Sequence, residues 1–135
     1  MRKMILMFAV ILTVAVFAVI SPASPAVVEI FYLPHPPAEA VVKDVEAALN
    51  GLKDIEVRKY NFEAAESRKQ MTKYNIREHT PVMIFINGKN EFVVKNRKIV
   101  LKNFPKGNSF VPFYEGNWSY QDIKEILRSL AGVKS

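Results

Sequence analysis

The fold of this chain is indicated by residues 27–38, which read Val-Val-Glu-Ile-Phe-Tyr-Leu-Pro-His-Pro-Pro-Ala. The first seven residues are rich in β-branched and aromatic side chains and predict a strand over 27–33. Pro34, Pro36 and Pro37 cannot continue a strand, but proline is well tolerated in the first turn of a helix. We therefore predict that a strand passes through a proline-bearing turn into a helix.

The segment after this turn has helical periodicity. Its apolar residues recur three and four positions apart, as on a helix face that packs against a core; they are Val41, Val45, Ala48, Leu49 and Leu52. Asn50-Gly51 favours the end of the helix there. The composition then predicts a second strand over 55–62 and a second helix over about 63–74.

Val82–Ile86 is a continuous apolar run that predicts a central strand. Asn87-Gly88 after it favours a tight hairpin, so we predict that residues 91–95 pair with this strand. Residues 95–116 read as an extended irregular loop, with a short additional strand over 99–101.

A last helix is predicted to begin after Ser119, an N-cap residue with Asp122 three positions on. Trp118 and Ile123 occupy the positions of a hydrophobic staple. The core-facing residues of this helix are predicted to be Ile123, Ile126, Leu127 and Leu130. The resulting order, β-α-β-α-β-β-α, predicts an α/β fold with one mixed sheet between layers of helices.

Residues 1–26 differ from the rest of the chain. Arg2 and Lys3 precede an apolar run over 4–20, and small residues follow over 21–26. This pattern is typical of a secretory signal peptide or of an uncleaved N-terminal membrane anchor. Either interpretation predicts an exported protein, periplasmic or extracellular, or one held at the membrane by its N-terminal segment alone. Residues 27–135 are then its one domain.

The composition excludes several functions. The chain has no cysteine, so its own side chains cannot carry out thiol–disulfide exchange. Its 19 Lys and Arg residues against 13 Asp and Glu give a mildly basic chain, but these residues are dispersed, which indicates a solvated surface and no nucleic-acid partner. No motif predicts a cofactor.

The element order and three short motifs resemble the thioredoxin-like superfamily. Phe31-Tyr32 resembles the strand end before the thioredoxin active site, and Tyr74-Asn75-Ile76-Arg77 is similar to the Tyr-Gly-Ile-Arg pattern of that family. Thr80-Pro81-Val82 is similar to its cis-proline element. The resemblance implies a three-layer α/β/α sandwich over residues 27–131 and a cis peptide bond before Pro81.

The chain departs from this family at the active-site positions. His35-Pro36-Pro37-Ala38 stands where the family has Cys-x-x-Cys, which puts either His35 and Ala38 or, one residue on, Pro36 and Glu39 at the thiol positions. Ile30 stands where the family tends to keep a buried acidic proton relay, with Glu29 beside it. The resemblance therefore implies a redox-inactive member.

Binding is the function that this resemblance leaves open. In thioredoxin-like folds the backbone beside the cis-proline pairs with an extended peptide, and strand addition of this kind needs no cysteine. Thr80 and Pro81 would supply that backbone, and the other wall of the groove would be formed by Tyr32, His35 and Pro36. We therefore predict a peptide- or protein-binding module with an unidentified partner.

Two further sites are candidates. The loop 95–116 carries aromatic residues that predict a partner-docking surface or, alternatively, a flap that extends the core; they are Phe104, Phe110, Phe113 and Tyr114. It would serve the predicted binding module or, alternatively, a structural subunit of an envelope complex. Separately, His35 and His79 could form a histidine-based catalytic or metal site, because a neutral imidazole is both a general base and a metal ligand; otherwise His35 is an exposed turn residue.

Overall fold

The computed structural model describes residues 24–78, 80–107 and 111–132. The fold is mixed α/β. The strands are β1 (Ala26–Tyr32), β2 (Ile55–Asn61), β3 (Val82–Ile86), β4 (Glu91–Val94) and β5 (Arg97–Val100), and the helices are α1 (Pro36–Leu49), α2 (Arg68–Lys73) and α3 (Tyr120–Leu130). Short 3₁₀ turns span Ala65–Ser67 and Pro112–Tyr114. The predicted second helix is therefore shorter than expected and begins with a 3₁₀ turn.

β1 lies at the centre of a three-stranded mixed sheet. β2 pairs with it in parallel and β3 pairs with it antiparallel, so the strand order is β2-β1-β3. Ile30 of β1 lies opposite Lys59 of β2 and Ile84 of β3. The predicted mixed sheet is confirmed, but its antiparallel pair joins β3 to β1 and not to β4.

The sheet is covered on both faces by apolar side chains. Val28 and Ile30 of β1 point to the face on which α1 and α3 pack, and the apolar residues there form the main core. Phe31 points to the opposite face, below α2, where it forms an aromatic cluster with Phe62, Met83 and Phe85. Alternation of side chains along a strand produces this division. All five residues of β3 are buried, as its apolar sequence predicts, although β3 stands at the end of the strand order β2-β1-β3.

The prediction that β3 pairs with β4 in a hairpin is wrong. The Asn87-Gly88 turn does form, with φ of 48° and 81°, but the two strands separate directly after it. The segment after β5 takes the place beside β3: the Ile84 N–H donates to the Leu101 carbonyl at 2.9 Å. Leu101 is fully buried there, whereas Val93 of β4 stays 75% exposed, so apolar burial favours the observed pairing.

β4 instead forms a hairpin with β5. Val94 pairs with Arg97, and the two residues between them, Lys95 and Asn96, have φ of 48° and 62°. Positive φ at both central residues is the signature of the two-residue hairpin turn whose twist matches that of the strands. The predicted short strand over 99–101 is observed as β5, which begins earlier, ends at Val100 and belongs to a second, two-stranded sheet.

The predicted cis peptide bond before Pro81 is also wrong. The peptide bonds of the described residues are all trans, including Thr80–Pro81. The trans form is intrinsically preferred for X-Pro bonds. With this bond trans, the Pro81 carbonyl accepts a hydrogen bond from the Leu33 N–H at 3.0 Å, which extends the pairing of β1 with β3.

The start of α3 agrees with the prediction. The Ser119 side chain accepts a hydrogen bond from the Asp122 N–H at 3.1 Å, and the Asp122 carboxylate accepts one from the Ser119 N–H at 2.9 Å. This reciprocal capping box satisfies two backbone donors at the helix end. The prediction for Leu130 is wrong, because it lies in the last turn beyond Leu127, the last buried residue of the helix, and is half exposed.

None of the helices in the described part of the chain combines the length and hydropathy needed to cross a bilayer. The segment 1–23, which carries most of the predicted signal peptide or anchor, lies outside the described residues.

Candidate functional site

The turn between β1 and α1 presents His35 to solvent. His35 is the N-cap residue of α1, in an extended conformation, and its side chain makes no capping hydrogen bond. Its N–H donates to the Leu33 carbonyl at 2.8 Å, and its own carbonyl accepts from the Glu39 N–H at 2.9 Å. Pro36 follows as an exposed residue of the first helical turn.

The hydrogen bond from Leu33 to Pro81 brings this turn beside the start of β3. Tyr32 is half-buried and lies opposite Val82 in the sheet. Thr80 is only 4% exposed, and its hydroxyl donates to the Val82 carbonyl at 3.1 Å. The predicted wall residues therefore lie at one end of the sheet, but Thr80 offers a bound peptide little accessible backbone.

A histidine-based metal site gains no support from the described residues. They contain no group of three or more His, Cys, Asp or Glu side chains that could hold a metal ion. His79, the second predicted imidazole, lies outside the described residues.

The aromatic residues of the long loop are divided between the interior and the surface. Phe104 is 7% exposed and belongs to the main core, so its assignment to a docking surface is wrong. Its N–H and carbonyl are both bonded, the former to the Tyr114 carbonyl at 2.9 Å and the latter by the Gly116 N–H at 2.6 Å. Phe113 is 83% exposed, and Phe110 lies outside the described residues.

Val111, Phe113 and Tyr114 form an exposed apolar surface, which we call the aromatic platform. The rings of Phe113 and Tyr114 meet edge to face, with their centroids 5.1 Å apart. The 3₁₀ turn around Pro112 is closed by a hydrogen bond from the Tyr114 N–H to the Val111 carbonyl at 2.9 Å. The platform is therefore built on a turn with defined geometry.

Trp118 holds the base of this loop. It is fully buried, and its indole N–H is shared between the carbonyls of Lys102 at 3.1 Å and Asn103 at 3.3 Å. The Trp118 carbonyl accepts from the Lys106 N–H at 2.8 Å. A Cβ atom at Gly116 would lie 2.5 Å from the Lys102 carbonyl oxygen, so the chain approaches too closely there for any residue but glycine.

The platform has basic side chains beside it. An open cavity of about 520 Å³ adjoins Pro112, and its lining residues include Arg97, Lys98 and Lys106. Arg97 forms an ion pair with Asp122 at 2.8 Å, and Lys98 forms one with Glu91 at 3.1 Å. Glu115 lines the same cavity, so Lys106 is the basic side chain there without an ion pair among the described residues.

Glu29 lies on the face of the sheet opposite the main core, and its carboxyl group is buried. The alternation of residues along the predicted strand did not by itself indicate this burial. Glu29 is 3% exposed and points to the aromatic cluster, opposite Phe85 of β3. The Tyr74 hydroxyl donates a hydrogen bond to its Oε1 atom, while its Oε2 atom has no hydrogen-bond partner among the described residues. The buried acidic group of β1 is therefore at position 29, and Ile30 packs in the main core.

Burial, together with the hydrogen bond to Glu29, raises the pKa of Tyr74 to about 12. Burial, with the Glu29 charge second, also raises the pKa of Tyr60. Both phenols resist ionisation because their environment disfavours the phenolate.

These shifts give an expected alkaline pH dependence. The pKa of an unfolded tyrosine is about 10, so the folded state binds more protons than the unfolded state above that pH. The contribution of Tyr74 to stability is then fully present below about pH 10 and is lost as the pH rises toward about 12. Urea unfolding at a series of pH values measures this loss. A Tyr74→Phe variant should show a shallower alkaline decline, and an unchanged slope would contradict the assignment.

Comparison with protein-family models, with curated proteins and with solved structures found no match to this chain. We therefore infer the function from the residues themselves. Among those described, the aromatic platform is the surface with the most exposed large aromatic side chain.

Proposed function

We propose that this chain is a redox-inactive protein-binding module with a thioredoxin-like fold that acts outside the cytoplasm. The observation that carries the binding function is the aromatic platform, where Phe113 stands 83% exposed on a loop held by buried anchors. The partner is a protein with an apolar pocket for Phe113 and acidic groups around it.

The element order supports the thioredoxin-like part of the proposal. The parallel β1–α1–β2 unit, the antiparallel β3, and the packing of α1 and α3 together on one face agree with what the resemblance implies. The departure is β4, which pairs with β5 and not with β3. The absence of cysteine excludes a thiol mechanism for such a domain.

Energetics support binding at the platform. Contiguous exposed apolar patches mark interaction sites, and a few central side chains carry most of the binding energy of an interface. The turn at Pro112 and the anchor at Trp118 fix the backbone around Phe113 before a partner arrives, so little conformational entropy remains to be lost on binding. Lys106 adds a basic side chain in the adjoining cavity that favours an acidic group on the partner.

The groove beside Thr80 is the weaker candidate for the binding surface. Thr80 and Pro81 are both buried, so strand addition would require their neighbours to move. His35, Pro36 and Tyr32 remain accessible there in whole or in part, but they present no aromatic side chain as exposed as Phe113.

The extracytoplasmic location rests on the sequence of residues 1–26. Basic residues, an apolar run and small residues follow one another in the order of a secretory signal or an N-terminal anchor. This assignment would bring the binding domain to the periplasm or the cell exterior. Fractionation of cells that produce the full chain would test it directly.

The Phe113→Ser substitution tests the binding function. The full chain, tagged at its C-terminus, is captured from cells that produce it, and the proteins retained with it are quantified. Loss of a central aromatic anchor costs about 2 kcal/mol or more, so retention of the partner should fall about 30-fold. Val93→Ser is the matched control, because Val93 is 75% exposed in β4, outside the platform.

Two outcomes would overturn the proposal. One is equal retention of the same proteins by the wild type and the Phe113→Ser variant. The other is an equal loss with Val93→Ser, since that would indicate a general adhesion of exposed apolar side chains and not a specific surface.

A further inference from the structure

β2 is the outer strand of the three-stranded sheet. The Asp54 carbonyl accepts from the Ala26 N–H of β1 at 2.9 Å, and parallel pairing uses alternate residues of a strand. The N–H and carbonyl groups of Ile55, Val57 and Lys59 therefore point away from β1. Within the residues that the structure describes, no strand or isolated bridge pairs with this side of β2.

The middle of this strand carries charged side chains of both signs. Glu56 and Arg58 point to one face of the sheet and form an ion pair at 2.8 Å, with both side chains nearly half exposed. Val57 lies between them on the other face, half-buried against the main core. Lys59 shares that face and is held by Glu46 of α1 at 2.9 Å. The charged pair thus lies at the middle of a strand whose outer edge has no partner strand among the described residues.

We propose that β2 pairs antiparallel with β2 of a second copy of this chain, with Val57 on the two-fold axis. Val57 then lies opposite Val57 of the second copy as a hydrogen-bonded pair, because its N–H and carbonyl both point outward. Glu56 lies opposite Arg58 of the second copy, in the closer non-hydrogen-bonded type of pair. The two three-stranded sheets join into one continuous sheet.

The charges of Glu56 and Arg58 favour this register over pairings centred on either of those two residues. Pairing centred on Glu56 would place two carboxylates opposite one another, and pairing centred on Arg58 would do the same with two guanidinium groups. Like charges directly opposite destabilise a strand pair. Centring on Val57 is the arrangement that matches Glu56 to Arg58 twice, once on each side of the axis.

An open groove of about 410 Å³ runs beside this edge, between β2 and α1. Its apolar lining comes from Leu49, Leu52, Ile55 and Val57. In the proposed pairing, Val57 of the second copy lies over the end of this groove. Apolar burial on one face of the joined sheet and ion pairs on the other then act together.

The absence of cysteine makes the register testable by a single introduced thiol. Two differently tagged full-length copies carrying Val57→Cys are produced in the same cells and oxidised mildly. A hydrogen-bonded antiparallel pair has Cα atoms about 5.5 Å apart, within the range that a disulfide spans. We expect most of the protein to form a disulfide-linked dimer, and a part of these dimers to carry both tags. Lys59→Cys is the matched control, because the two copies of position 59 lie about 13 Å apart in this register.

The second part of the experiment tests whether the charges of Glu56 and Arg58 determine the register. In the Val57→Cys background, Glu56→Arg should lower the yield of the joined product at least fivefold, and the addition of Arg58→Glu should restore it. Any one of four results would overturn the proposal. The tagged copies form no disulfide, or Lys59→Cys gives an equal yield. Alternatively, the disulfide joins the chain to a different protein, or the double charge reversal fails to restore the yield.

Discussion

The substitution Trp118→Ala is expected to lower the free energy of unfolding by about 3–5 kcal/mol, the usual cost of truncating a fully buried aromatic side chain. Trp118 is the largest of the fully buried side chains described, and its ring meets Tyr120 edge to face at 5.7 Å. Its removal also takes the indole donor from the carbonyls of Lys102 and Asn103. Urea unfolding followed by far-ultraviolet circular dichroism measures the change, since the chain has no other tryptophan to report by fluorescence.

Trp118→Phe separates packing from hydrogen bonding. It keeps much of the ring volume and loses the donor, so it should cost clearly less than Trp118→Ala. The alanine variant should also lose partner binding, because the base of the loop that carries Phe113 is no longer held. A loss of stability below about 1 kcal/mol for Trp118→Ala would contradict its role as the anchor.

The substitution Tyr74→Phe is expected to cost about 2–3 kcal/mol, although it removes a single oxygen atom. The Tyr74 ring stacks on Phe85 with a centroid distance of 4.1 Å, and phenylalanine would keep this packing. What is lost is the donor to Glu29, a buried carboxyl group whose other oxygen already lacks a partner among the described residues. A buried polar group without its donor costs far more than the net value of the hydrogen bond.

A double substitution provides the control. Replacing both partners of a buried hydrogen bond by apolar groups can be nearly neutral. Tyr74→Phe combined with Glu29→Leu should therefore be more stable than Tyr74→Phe alone, as judged by urea unfolding at neutral pH. If the double variant were instead the less stable of the two, Glu29 would be stabilising for a reason other than its bond to Tyr74.

Local signals in the sequence predicted the elements whose formation depends on local chemistry. The apolar run Val82–Ile86 is a buried strand with the predicted bounds. Ser119 and Asp122 form the predicted capping box, because this motif needs only residues three positions apart. The prolines at 36 and 37 begin α1, as their fixed φ allows.

Strand pairing was less predictable. Asn87-Gly88 makes the tight turn that its sequence favours, yet the turn does not determine which strand lies beside β3. That choice follows from the burial of Leu101, more than ten residues further along the chain. The Lys95-Asn96 turn that joins β4 to β5 contains no glycine, so the sequence did not predict a hairpin there.

The candidate site shows the same limit. Phe104 and Phe113 are the same residue type in one loop, and composition predicted the same role for both. Phe104 is buried in the main core, whereas Phe113 stands in solvent. The difference comes from the backbone contacts between Phe104 and Tyr114, which no local pattern encodes.

The position of Trp118 directly before the capping box of Ser119 has a consequence for local unfolding. The residue that closes the long loop and the residue that starts α3 are neighbours in the chain. Fraying of the first turn of α3 therefore loosens the indole anchor, and release of the anchor exposes the helix cap. The loop and the helix form one cooperative unit, whose amide protons exchange with solvent together and not in succession.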